Sequence, residues 1–145
     1  MELQDEITIN ANLNDVFAAL NDAAILKVCI PGCEELIWQD KNQLAAKVTL
    51  KIGPVKARFS GTVILDPSNA PESFSLFGEG DGGVAGFAKG GADVELIQDG
   101  ANTILRYSAK AETGGKIAQL GGRLIARTSK KLSKMFFEKF NSVMN

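Results

Sequence analysis

Histidine does not occur in this sequence, and its 145 residues hold one tyrosine, one tryptophan and two cysteines. The missing histidine removes the usual general base, the usual zinc ligand and every histidine-dependent catalytic triad. Asp, Glu, Lys or Tyr can still do acid–base work, so the absence narrows catalysis without closing it. The cysteines, Cys29 and Cys33 in "CIPGCEEL", cannot without histidine close a typical four-ligand zinc site unless carboxylates or another chain help. A disulfide is disfavoured in a reducing compartment, and the pair reads as small buried residues around a Pro-Gly turn. No metal and no cofactor is expected. No apolar run approaches the roughly 18 residues of a membrane span. The acidic opening "MELQDEITIN" lacks the apolar centre of a secretory signal. The chain is therefore expected to be a single cytoplasmic domain over residues 1–145, long enough to bury a core.

Basic charge is scarce over most of the chain. Residues 1–112 carry 16 acids and 9 bases, whereas residues 113–145 carry one acid, Glu138, and 7 bases. The formal net charge of −1 hides this division.

Periodicity organises the rest. "ELQDEITINA" alternates Leu3, Asp5, Ile7 and Ile9 against polar residues, an edge-type strand. "NLNDVFAALND" offers Asn12 or Asn14 as a helix cap, and "DAAILKVC" gives a second short helix stopped by Pro31 and Gly32. Segment 42–52 alternates Leu44, Ala46, Val48, Leu50 and Ile52 against Lys47, Thr49 and Lys51. Segment 55–65 alternates Val55, Ala57, Phe59, Gly61, Val63 and Leu65 against Lys56, Arg58, Ser60 and Thr62. The two meet at Gly53-Pro54, which predicts an antiparallel hairpin. "ESFSLFGEG", "VAGFAKGGADVEL" and "TILRYSAKA" read as further strands. The predicted class is α+β: a curved antiparallel meander with a long closing helix from Lys116 to Val143 lying across it. That helix would span about 40 Å. Ile117, Leu120, Leu124, Thr128, Leu132, Met135 and Phe136 fall on one face. Lys116, Arg123, Arg127, Lys130, Lys131 and Lys134 fall on the other, facing water or an anionic surface.

Side chains are missing where a core should be. In "VAGFAKGGADVEL" the face that carries Val94 and Leu96 also carries Gly86, Ala88, Gly90 and Ala92. The helix carries Gly121-Gly122, although a mid-helix glycine costs about 1 kcal/mol relative to alanine. Close-packed interiors do not leave such volume empty without cost. Either the helix sinks until its backbone meets the sheet, or a ligand fills the gap. Phe17, Leu50, Phe59, Phe87, Leu105 and Tyr107 are the large residues expected to frame the patch, although strict alternation sets Phe87 opposite Gly86. Tyr107 is expected to supply a polar handle. Ile117, Leu120, Gly121 and Leu124 would close the site from the helix side. "GEGDGGVAG" and "GGKIAQLGG" lack the lysine and the strand–loop–helix setting of phosphate loops, and no carboxylate pair reads as buried for acid–base work. Nucleic acid is not expected, since no aromatics interleave the basic stripe.

"LNDAAILKVCIPGCEEL", "KIGPVKARFSG", "FSLFGEGDGGVAGFAKGGADVEL" and "GGKIAQLGGRLI" together closely resemble the carbon monoxide dehydrogenase CoxG family, over nearly the whole chain. The resemblance implies a START-like, or helix-grip, fold: about seven antiparallel strands wrapping one long C-terminal helix, with two short N-terminal helices and an apolar cavity. It further implies a non-catalytic binding protein for a quinone or lipid-like molecule. Such a protein would work beside a molybdenum hydroxylase, or act as an assembly or recruitment factor for it. Some family members carry a hydrophobic anchor after the helix. Here the residues end at "FNSVMN", so the basic helix face is expected to make any contact with the inner membrane surface.

Overall fold

Capping and turn chemistry lay out the first third of the chain in the computed structural model, which describes residues 1–145. After strand β1 (Glu2–Ile9), the Asn12 side chain accepts from Asp15 N–H at 2.9 Å and opens helix α1 (Leu13–Leu20). Asp22 accepts from Ala24 and Ile25 N–H and opens α2 (Ala23–Cys29), each cap satisfying otherwise orphaned amides. Pro31 then ends the helical run, and Gly32 turns the chain at φ +74. An added β-carbon on Gly32 would overlap the Thr49 carbonyl.

Six strands follow: β2 (Cys33–Asp40), β3 (Gln43–Ile52), β4 (Val55–Asp66), β5 (Ser73–Asp81), β6 (Phe87–Asp99) and β7 (Asn102–Gly114). All pairings are antiparallel, and the spatial order is β1-β7-β6-β5-β4-β3-β2. The predicted hairpin is present, with Ile52 opposite Val55 and Gln43 opposite Ile64. The chain's first strand closes against its last, Glu2 opposite Lys110 and Ile9 opposite Thr103. The architecture is α+β of the helix-grip kind, a curved seven-stranded sheet with a long C-terminal helix.

Two boundaries differ from expectation. The closing helix α3 spans Gly122–Met144 rather than starting at Lys116. Residues 117–120 form a 3-10 turn, and Gly121 breaks the path at φ +95, ψ 153, a region that side chains with a β-carbon avoid. The second glycine pair therefore marks the start of the helix and does not lie inside it. Likewise, β6 begins at Phe87. Val84 and Ala85 belong to a short 3-10 turn (Gly83–Ala85), and Gly86 precedes the strand at φ +106.

The buried residues fall into two separate clusters. One joins Ile9, Val16, Ala19, Cys29, Phe74, Leu96, Leu105 and Phe140. The other joins Ile52, Ala57, Phe59, Ala85 and Ile117. Only 16 of 145 residues are buried, and the inward residues between the clusters, among them Ala46, Gly61, Gly78 and Ala92, are half-buried. Helix α3 bridges them. Its Leu124 lies against Gly53, 2.7 Å from where a β-carbon would stand. At its far end Phe140 is fully buried, and Asn141 donates to Thr8 C=O and accepts from Asn10 N–H. Leu132, between these anchors, joins neither cluster.

Candidate functional site

Strand register assembles the empty patch row by row. Ala46, Gly61, Gly80 and Ala88 are successive partners across β3, β4, β5 and β6. The next inward row reads Val63, Gly78, Gly90 and Ala111, and the one after it Leu65, Leu76, Ala92 and Ala109. Small residues thus adjoin across four neighbouring strands, with Leu50 and Phe59 at one end and Leu76 toward the other. Together they floor an open groove of about 430 Å³, within the range of small-molecule sites. The groove is lined wholly by the sheet, and no side chain of α3 reaches it.

The glycines show that the helix has not sunk onto the sheet. A β-carbon on Gly61 would overlap the Glu79 carbonyl, and one on Gly90 the Lys110 carbonyl; both atoms belong to adjacent strands. On Gly80 it would meet the Phe59 side chain at 3.3 Å, and on Gly78 only Thr62 and Val63 at 3.6 Å. None of these nearest atoms comes from α3. At Gly121 and Gly122 nothing lies within 4 Å. The close approach of α3 backbone to sheet that tight packing requires is seen at none of these positions.

The residues expected to frame the site are dispersed. Leu50 and Phe59 do line the groove. Phe17 packs edge-on against Phe74, ring centroids 5.5 Å apart, in the first cluster. Leu105 and Ile117 are fully buried in separate clusters. Leu120 packs against the second cluster, Leu124 covers Gly53, and Gly121 is exposed. Phe87 points to the outer face, 45% exposed, its ring over Gly114. Strict alternation from Ala88 gives that orientation, and bulk alone was a poor guide. The residues missed are the small ones on the neighbouring strands, such as Gly78, Gly80, Ala109 and Ala111. Their alternation is legible, but their adjacency depends on register.

Tyr107 occupies a neighbouring, more polar cleft of about 540 Å³ between β1 and α3, beside Asp5, Lys130, Ser133 and Lys134. Its ring stacks on Phe137 at 5.4 Å. Burial holds its phenol above the usual tyrosine range, a Ser133 hydrogen bond opposes this and the Asp5 charge adds to it. Ala109, the next inward residue of β7, belongs to the groove, so the two spaces adjoin.

Burial likewise raises the thiols of Cys29 and Cys33, both free. Lys139 opposes the rise at Cys29, while the Glu35 carbonyl, which accepts from Cys33 Sγ at 3.5 Å, opposes it at Cys33. Of the basic residues, Lys116, Arg123, Arg127, Lys130, Lys131 and Lys134 are all exposed. Only Lys134 is ion-paired, with Glu138 at 3.9 Å. Lys116 lies ahead of α3 rather than on it. No helix is long and apolar enough to cross a membrane.

The family profile of carbon monoxide dehydrogenase CoxG matches residues 6–145. A conserved protein of Geobacillus kaustophilus superposes with TM-score 0.92 at 27% identity, covering 99% of this chain and 95% of that one. A START superfamily protein of Mycobacterium smegmatis gives TM-score 0.76 at 12% identity over 99% and 96%. An aromatase/cyclase of Streptomyces sp. R1128 gives 0.68 at 10% over 99% and 93%. The last two likenesses carry the fold alone. No curated protein matches the sequence.

Proposed function

The chain belongs to the carbon monoxide dehydrogenase CoxG family, and from that premise we propose that it is a non-catalytic carrier for an apolar small molecule. Quinones and lipid-like compounds are the class that suits the groove. The observation that carries this reading is the three-row patch of small and aliphatic residues across β3 to β7, standing open with no residue of α3 among its lining. An apolar occupant would gain about 25 cal/mol per Å² of surface removed from water. The inward residues of those rows are Gly, Ala, Val and Leu, with no titratable group to serve as acid or base. That supports binding over turnover. The family supports a place beside a carbon monoxide dehydrogenase-type molybdenum hydroxylase, with the carrier exchanging the apolar molecule near it.

Native mass spectrometry after incubation with a short-chain naphthoquinone and with a fatty acid tests the reading. A one-to-one adduct with either compound supports it, and loss of the adduct in Gly78→Leu places it in the groove. If neither compound binds, carriage falls. Recruitment or assembly of the partner enzyme through protein contacts would then be the function left to this chain.

A further inference from the structure

The inner face of the sheet does not end at the groove. Its last small row, Leu65, Leu76, Ala92 and Ala109, continues on β1 as Leu3. The next inward row, about 7 Å further along the strands, reads Phe74, Val94, Tyr107 and Asp5. Ala109 lines the groove, whereas Leu3, Asp5 and Tyr107 line the cleft between β1 and α3. A molecule lying on the Gly and Ala rows and reaching past Ala109 meets Tyr107 next, beside Ser133 and Phe137 of α3.

The cleft has the chemistry to hold a polar head. Tyr107 is half-buried, and its ring is held by the stack on Phe137. Ser133 is the one hydrogen-bonding neighbour of its phenol. A phenol both donates and accepts, so one of its two roles is left open. Burial keeps it protonated at neutral pH, a donor and not an anion. The charges around it balance. Lys134 pairs with Glu138 at 3.9 Å, while Asp5 and Lys130 are exposed and take part in no ion pair. These two carboxylates and two ammonium groups leave the lining with no net formal charge. An anionic head would gain from Lys130 and lose to Asp5. A neutral group that accepts one hydrogen bond meets no such opposition.

We propose that groove and cleft are one bipartite site, in which the Gly and Ala rows take an apolar body and Tyr107 donates a hydrogen bond to a neutral carbonyl head. The inference rests on the carrier reading above and narrows its ligand class. Neutral carbonyl compounds are selected over carboxylates of the same body, and the choice is made at Tyr107. One such hydrogen bond changes affinity about fivefold. That is enough to sort molecules whose bodies the groove alone would hold alike.

Equilibrium dialysis of the full chain against 2-acetylnaphthalene, 2-ethylnaphthalene and 2-naphthoate tests the proposal. The three share one ring system and differ in the head: ketone, hydrocarbon and carboxylate. Tyr107→Phe keeps a ring to stack on Phe137 and removes the hydroxyl alone. It should lower affinity for the ketone about fivefold and leave that for the hydrocarbon in place. Gly78→Leu should lower both, since both bodies need the groove. The proposal is overturned if Tyr107→Phe weakens ketone and hydrocarbon alike, the mark of a structural role, or weakens neither. Tighter binding of 2-naphthoate than of the ketone by wild type would also overturn it and assign the cleft to anions. In each of these cases, binding that is lost in Gly78→Leu leaves the carrier reading standing. If wild type takes up none of the three, the bipartite site falls, and carriage stands or falls by the adducts described above.

Discussion

Gly78 faces Gly90 across β5 and β6, yet the two glycines answer different needs. A β-carbon on Gly90 would overlap the Lys110 carbonyl of the next strand, whereas one on Gly78 would have ordinary contacts at 3.6 Å. Gly90 lets two strands approach; Gly78 leaves space in the groove. Gly78→Leu should therefore keep or raise the melting temperature, since glycine weakens strand interiors, while uptake of an apolar probe falls. Gly90→Ala should cost about 1–3 kcal/mol, the usual range for overpacking. Chemical denaturation of both variants beside probe binding checks the contrast. Loss of stability in Gly78→Leu comparable to that in Gly90→Ala would show that Gly78 too is held by packing.

Gly121 and Gly122 should respond with opposite signs. Gly121 holds φ +95, ψ 153, so Gly121→Ala should cost about 1–3 kcal/mol despite the open space around it. Gly122 begins the helix with nothing within 4 Å. Gly122→Ala should gain up to about 1 kcal/mol. Urea midpoints at constant slope provide the measurement.

Tyr107 is the only tyrosine, so its ionisation can be read directly from the tyrosinate absorbance. Burial, the leading cause, raises its pKa above the ordinary value. The folded state thus holds the phenolic proton more tightly than the unfolded state. The resulting stability is fully present below about pH 10, where unfolded tyrosine titrates, and is lost as pH rises through the folded value. Native protein should titrate later than urea-unfolded protein. Tyr107→Phe should unfold less steeply with alkali, with no change in the pH dependence near neutrality. A native titration at or below the unfolded one would contradict the burial.

Phe87 and Leu105 offer a test of location. Phe87 lies over Gly114 on the outer face, so Phe87→Ala should leave apolar-probe uptake unchanged. Leu105 is 1% exposed in the first cluster, and Leu105→Ala should lower stability by about 2–5 kcal/mol. A drop in probe affinity for folded Phe87→Ala would move the binding region to the convex side.

The β3–β4 hairpin was legible because strict alternation runs on both sides of Gly53-Pro54. Strand β2 was not, because it has no clean period of two. Leu36 is buried, while Ile37 and Trp38 are both exposed, and register shifts interrupt its pairing at each end. The start of α3 was misplaced because Ile117 and Leu120 continue its apolar spacing through a 3-10 turn. Only backbone conformation at Gly121 divides the two. The emptiness of one strand could be read along β6. The site as a whole could not, since Gly61, Gly80 and Ala88 become neighbours through pairings between strands.

The pairing of β1 with β7 also sets the timing of synthesis. Ile9 finds Thr103, and the N-terminal ammonium finds the Ala111 carbonyl, only after about a hundred intervening residues have left the ribosome. At about 5–20 residues per second, the nascent chain carries an unmatched β1 for roughly 5–20 seconds. Its acidic side chains, Glu2, Asp5 and Glu6, keep that open edge repelling its own kind during the wait. The late segment that relieves it, β7, also supplies Ala109 and Ala111 to the groove floor. A ribosome stalled before residue 102 would thus hold a chain with neither a closed sheet nor a complete groove.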